Sequence, residues 1–91
     1  MTERLRIRVR GRVQGVGFRY FTIRAAEQRG VTGFVRNEPD GSVLCEAQGA
    51  ADVLAAFLDD LRRGPRFSRV DDVESDQIDT NDDETGFDVG R

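Results

Sequence analysis

The sequence predicts one α+β domain with its elements in the order β-α-β-β-α-β, and three observations carry that prediction. Leu5, Ile7, Val9 and Val13 alternate with Arg4, Arg6, Arg8, Arg10 and Arg12, allowing for a disturbance near Gly11; this is the period-two pattern of a half-buried strand. Two stretches switch to helical spacing: Phe18, Phe21, Thr22, Ala25, Ala26 and Arg29 in the first, and Ala50, Val53, Leu54, Phe57, Leu58 and Leu61 in the second. Between them, Glu38-Pro39-Asp40-Gly41 reads as a type I turn joining two short strands, with Pro at its second position and Gly at its fourth.

Taken in order, the first strand runs from about Arg4 to Val13 and the first helix from Phe18 to Arg29, ended by Gly30 as a C-cap. Tyr20 and Ile23 lie off that helix's buried stripe. The second strand covers Val31 to Asn37, and the third, Ser42 to Gln48, puts Val43, Cys45 and Ala47 on one face and Leu44, Glu46 and Gln48 on the other. The second helix begins near Ala50, keeps Asp52, Asp59 and Arg63 on its wet side, places Arg62 and Arg63 at the negative end of its dipole, and stops at Gly64-Pro65. Val70 and Val73 are three apart, so the fourth strand either carries a bulge or ends early. Asp76 to Thr85 is polar and acid-rich and is expected to be a mobile loop, while Phe87 and Val89 could supply a short fifth strand.

The economical arrangement of these elements is a ferredoxin-like sandwich, a mainly antiparallel sheet with both helices on one face. Each β-α-β crossover should be right-handed and make its two strands parallel. The loop after the first strand and Asn37 at the end of the second then emerge on the same edge, although Arg19 and Asn37 are eighteen positions apart.

Composition narrows the class. Ninety-one residues suit one domain with a small core. No run of eighteen apolar residues exists and the arginine-rich N-terminus lacks an apolar h-region, so neither a membrane span nor a signal peptide is expected, and a cytoplasmic location follows. Cys45 is the only cysteine and there is no histidine, which argues against disulfides, a metal site, or Cys-His chemistry. Cys45 alternates with Val43 and Ala47 and reads as a core residue. Residues 1–36 hold nine Arg and two acids, whereas residues 37–91 hold five Arg and fifteen acids. The arginines of the first strand read as its solvated face rather than a nucleic-acid footprint. The acid pairs Asp59-Asp60, Asp71-Asp72 and Asp82-Asp83 likewise read as solvated faces and not as catalytic carboxylates. All fourteen basic residues are Arg; such a bias resembles proteins of salt-loaded cytoplasms, and a GC-rich genome produces the same replacement of Lys.

The chemistry starts at Gly11-Arg12-Val13-Gln14-Gly15-Val16-Gly17-Phe18-Arg19, where glycines sit between a strand and a helix. At such a junction, backbone N–H groups can point into one concavity, and the first N–H groups of the helix lack intrahelical partners, which attracts an anion. Arg19 adds a fixed charge with a planar fork of donors that matches a phosphate. No Gly at position 20 completes G-x-G-x-x-G, and no Gly-Lys-Ser/Thr ends a Walker loop. Asn37 offers a neutral amide that can position a water, and neither it nor Arg19 is a strong base. That favours a substrate with a stable leaving group, because positioning and charge stabilisation do most of the work in a loose phosphoryl-transfer transition state. For each residue alone a structural role competes: a surface arginine at a helix start, an asparagine capping its hairpin.

This stretch, together with Gly33-Phe34-Val35-Arg36-Asn37 and the following Pro39-Asp40-Gly41, resembles the signature of the acylphosphatase family. The resemblance extends through Gly64-Pro65 and Val70 to Gly86-Phe87-Asp88-Val89 and is weakest from Ser75 to Thr85. It implies hydrolysis of an acyl phosphate to carboxylate and inorganic phosphate, without metal, cofactor or covalent intermediate. It also implies that amides of Gln14, Gly15, Val16, Gly17, Phe18 and Arg19, with the Arg19 side chain, bind phosphate, and that Asn37 orients the attacking water. The expected partners are the small-molecule substrate and its phosphate product, with no nucleic acid or membrane and a monomeric state. The alternative is a non-catalytic phosphate- or RNA-binding ferredoxin-like module, but Gly17-Phe18-Arg19-Tyr20-Phe21 only superficially resembles an RNA-recognition signature, because its aromatics fall on the helix.

Overall fold

The computed structural model describes residues 1–90. It consists of β1 (Thr2–Arg12), α1 (Phe18–Arg29), β2 (Thr32–Asn37), β3 (Val43–Ala50), α2 (Ala51–Arg63), β4 (Arg69–Ile78) and β5 (Phe87–Val89). The sheet order is β4-β1-β3-β2-β5. β1 is antiparallel to β3 and β4, and β3 is antiparallel to β2, so β1 and β2 run the same way with β3 between them, as the crossover argument requires. β5 adds to the far edge, parallel to β2, with Gly33 to Val35 opposite Phe87 to Val89.

The alternating residues define the core. Ile7, Val9, Val35, Val43, Cys45 and Ala47 are all fully buried on one face of the sheet, where Phe18 and Ala26 of α1 and Leu54, Phe57 and Leu61 of α2 cover them. Phe87 closes the sheet edge against Phe57, ring to ring at 6.1 Å. Gly30 ends α1 in the left-handed conformation, and the following Val31 N–H returns to the Ala26 carbonyl at 2.9 Å. The turn closes as predicted, the Gly41 N–H donating to the Glu38 carbonyl at 3.1 Å. Gly33 is required by close approach: a Cβ there would lie 1.8 Å from the Glu46 carbonyl oxygen. Strand limits shift by a residue or two from the alternation. β1 opens at Thr2 and ends before Val13, β2 opens at Thr32, and β3 runs from Val43 to Ala50.

Three expectations are corrected. Arg4 is not on a solvated face: it is 3% exposed, donating to Glu46 at 3.0 Å, to Gln48 at 3.1 Å and to Glu84 at 2.8 Å. Its bonds to Glu84 hold the guanidinium above its ordinary pKa against the cost of burial. Secondly, Asp76 to Ile78 belongs to β4, paired with Arg6 to Arg4, and does not begin a loop. The residues after it are tied under the sheet by Glu84 and by Asn81, whose N–H donates to Gln48 Oε1 at 2.7 Å. β4 does carry a bulge: Arg10 pairs with Asp72 and Gly11 with Val70, leaving Asp71 as the extra residue. Thirdly, Asp60 is 6% exposed and bridges the helices, accepting from Arg29 at 2.5 Å and from Arg63 at 2.8 Å. The Arg29 hydrogen bond holds its carboxyl below the usual carboxylate range.

Candidate active site

The junction between β1 and α1 is built by its glycines. Gly15 and Gly17 take φ of 74° and 79°, in the left-handed region that only glycine enters cheaply. Nothing lies within 4 Å of where a Cβ would sit on either, so the loop backbone faces open space. Gly17 is the N-cap of α1 and has no side chain to cap it. The first hydrogen bond of the helix is from the Phe21 N–H to the Gly17 carbonyl at 3.0 Å. The N–H groups of Phe18, Arg19 and Tyr20 therefore have no intrahelical acceptor, and no acidic residue stands in the first turn to compete for an anion.

Gly15, Gly17, Phe18 and Arg19 line one cavity of about 310 Å³, and Asn37, the last residue of β2, lines it too. The crossover topology thus brings Arg19 and Asn37 to one place. Two expected residues do not line it. Val16 packs toward the core, and Gln14 turns away to the β2–β3 turn, donating both hydrogens of its side-chain amide, to the Glu38 carbonyl at 2.8 Å and the Ser42 carbonyl at 2.9 Å. Gln14 thereby ties the loop to the turn that follows Asn37. The remaining lining comes from Val13, Tyr20, Ile23 and Val89. Sequence reasoning left Tyr20 and Ile23 without a neighbour and gave Val89 no place at the site; β5 pairing with β2 puts it there, and only the alternation of Phe87 and Val89 hinted at a strand.

Among the described residues, Arg19 and Tyr20 are the only ionisable side chains lining the cavity, and none of the lining residues is a carboxylate or histidine that could act as a general base. A larger hollow of about 460 Å³ runs between α1 and α2 and shares Gly17 and Tyr20 with this cavity. Of its charged groups, Arg29, Arg63 and Asp60 satisfy one another, and the Arg24 guanidinium lies over the Tyr20 ring. Among the described residues, no group of three His, Cys, Asp or Glu side chains is arranged to hold a metal ion.

The model of the acylphosphatase family matches residues 5–89. An acylphosphatase of Oceanobacillus iheyensis is 48% identical over 93% of this chain and 94% of its own, and one of Salinibacter ruber is 49% identical over 98% of this chain and 94% of its own. The crystal structure of an acylphosphatase from Bacillus subtilis superposes with a TM-score of 0.93 at 36% identity, each chain being covered in full. A match of this extent, in sequence and in backbone, means that the chain belongs to the acylphosphatase family.

Proposed function

We propose that the protein hydrolyses the carboxyl–phosphate bond of acyl phosphates to a carboxylate and inorganic phosphate. The observation that carries this is the meeting of Arg19, the unpaired first-turn amides and Asn37 on one cavity. The names of its relatives support the same reading. In this reading the amides of residues 14–19 and the Arg19 fork hold the phosphoryl oxygens and neutralise charge as it spreads over them. Asn37 orients a water in line with the scissile bond. The water oxygen attacks phosphorus, the bond from phosphorus to the carboxyl oxygen breaks, and the carboxylate leaves with the bonding pair. The proton shed by the water leaves with the phosphate product. Because the carboxylate is a stable leaving group, neither a general acid nor a metal is needed to protonate or polarise it. The same reading makes the protein a cytoplasmic monomer that acts on small molecules, without nucleic acid, membrane or cofactor. Its one cysteine, Cys45, is a buried free thiol, which suits a reducing compartment.

Phosphate release from acetyl phosphate tests the proposal. Wild type should turn it over, and Arg19→Ala should lose on the order of a hundredfold or more in kcat/KM, the effect of removing one preorganised donor. Arg19→Lys should recover little, because a point charge does not reproduce the fork. Near wild-type activity in either variant would remove Arg19 from the site.

A further inference from the structure

Arg8 alternates with Ile7 and Val9, which are fully buried against the helices, so its side chain lies on the opposite face of the sheet. It is not left to solvent there. Its guanidinium donates to Ser42 Oγ at 2.9 Å and stands 3.9 Å from a Glu38 carboxylate oxygen and 3.8 Å from one of Asp40. All three residues belong to the turn that joins β2 to β3. Ser42, only 2% exposed, passes the contact on. Its hydroxyl donates to Asp40 Oδ1 at 2.6 Å and its N–H to the same oxygen at 3.0 Å, which holds the Asp40 carboxyl below the usual carboxylate range. The other Glu38 oxygen accepts from Arg36 at 3.1 Å. Among the described residues Arg8 is the one cation that pairs with both carboxylates of the turn; its removal would leave Asp40 without an ion pair and Glu38 with Arg36 alone.

This turn begins one residue after Asn37. Asn37 pairs with Val43 at the last step of the β2–β3 ladder, and immediately beyond it the Glu38 N–H closes on the Ser42 carbonyl at 2.9 Å. The Asn37 side chain shares the helix face with Val35, two residues earlier, and among the described residues it makes no hydrogen bond of its own. What aims it is the backbone on either side. Gln14 grips the turn from the phosphate loop, and Arg8 grips it from the far face of the sheet. We propose that Arg8 is a positioning residue for hydrolysis, which by holding Glu38, Asp40 and Ser42 sets where Asn37 places the attacking water. This rests on the hydrolytic reading above. Arg8 lies across the sheet from the cavity and touches no reacting group, so its loss should show in the chemical step and not in phosphate binding.

Arg8→Met tests it, because Met fills much of the space of the arginine stem and removes its charge and donors. With acetyl phosphate as substrate, kcat should fall about five- to twentyfold, less than the roughly hundredfold of a displacement of about 1 Å because Gln14 still holds the turn, while the inhibition constant of inorganic phosphate stays within about twofold. The contacts of Arg8 are one hydrogen bond and two longer ion pairs rather than a bidentate fork, so Arg8→Lys should return kcat to within about threefold of wild type. Arg6→Met removes an arginine of the same strand and face whose partner is Glu46, away from the turn, and should leave kcat within about twofold. Ser42→Ala removes the hydroxyl that Arg8 holds and should show the same split between kcat and phosphate inhibition, so it carries the test if Arg8→Met does not fold. The positioning role would be overturned by an unchanged kcat in the variant that carries the test, by a fall that Arg6→Met matches or Arg8→Lys does not relieve, or by an inhibition constant that rises in step with the fall in kcat. A wild type that does not turn over acetyl phosphate would overturn the hydrolytic reading, and the role of Arg8 with it.

Discussion

Replacing Gln14 should loosen the site without removing any group that touches the phosphate. Its side-chain amide donates to the carbonyls of Glu38 and Ser42 at 2.8 and 2.9 Å, and so locks the phosphate loop to the turn that begins one residue after Asn37. Truncation to Ala leaves neither carbonyl bare, because Glu38 O also accepts from the Gly41 N–H and Ser42 O from the Glu38 N–H. The penalty therefore sits at the low end for a lost hydrogen bond, ~0.5–1 kcal/mol each and ~1–2 kcal/mol in all. The kinetic cost should be larger than this suggests, because a displacement of about 1 Å between loop and Asn37 can cost on the order of a hundredfold in rate. Gln14→Glu sharpens the test. A carboxylate there faces two carbonyl oxygens, so its pKa is raised in the folded state, and the variant should approach wild-type stability near pH 4 and fall furthest behind at about pH 7. Urea midpoints and acetyl phosphate turnover, measured on the same preparations, give both readouts. If Gln14→Ala lowered the midpoint and left kcat unchanged, the positioning role would be refuted and only a structural one would remain.

Other perturbations follow from the same structure. Gly33→Ala places a Cβ 1.8 Å from the Glu46 carbonyl oxygen at a φ of 149°, and should cost about 2–5 kcal/mol in urea denaturation; a variant as stable as wild type would mean that β2 and β3 are not this close. Asp60 is held below the usual carboxylate range chiefly by Arg29, so its contribution is present above the unfolded pKa and is lost as pH falls through the folded one. Asp60→Asn should accordingly lower the midpoint at pH 7 and flatten its decline toward pH 3, and an unchanged pH profile would contradict this. Asp72, Asp76, Asp79, Asp82 and Asp83 are exposed and, among the described residues, outside every ion pair, which leaves much of the acidic excess unneutralised. We propose that the fold gains stability with salt, its urea midpoint rising from ~0.05 to ~3 M KCl as the screening length falls to about 3 Å at ~1 M and below it beyond, while KM for acetyl phosphate rises because anions compete for the cradle. A midpoint that does not move would leave the absence of Lys to genome composition.

What could be read from the chain depended on the range of the interactions involved. Leu5, Ile7 and Val9 reveal their strand because alternation is local, and Gly15, Gly17 and Arg19 reveal a site because strand, loop and helix follow one another directly. Asn37 could be brought to that site in advance, since a crossover through α1 leaves little freedom in where β2 ends. The burial of Arg4 was hidden because its partner Glu84 lies 80 residues away, in a polar segment with no pattern of its own. Asp60 looked like one half of a solvated pair, because its acceptor role depends on Arg29, 31 residues earlier on another helix. The far end of β4 was obscured for a different reason: its residues are exposed on an edge, so Asp76 and Gln77 carry no apolar signal although the backbone pairs fully. Val89 reaches the cavity only through the parallel β2–β5 ladder, a pairing with no local signature at all.

The most direct test of the assigned chemistry is Asn37→Ala, with turnover of acetyl phosphate and inhibition by inorganic phosphate measured side by side. If Arg19 and the loop amides hold the phosphate and Asn37 holds only the water, the inhibition constant should stay within about twofold while kcat falls on the order of a hundredfold or more. Loss of phosphate affinity with turnover at saturation retained would contradict that division of labour.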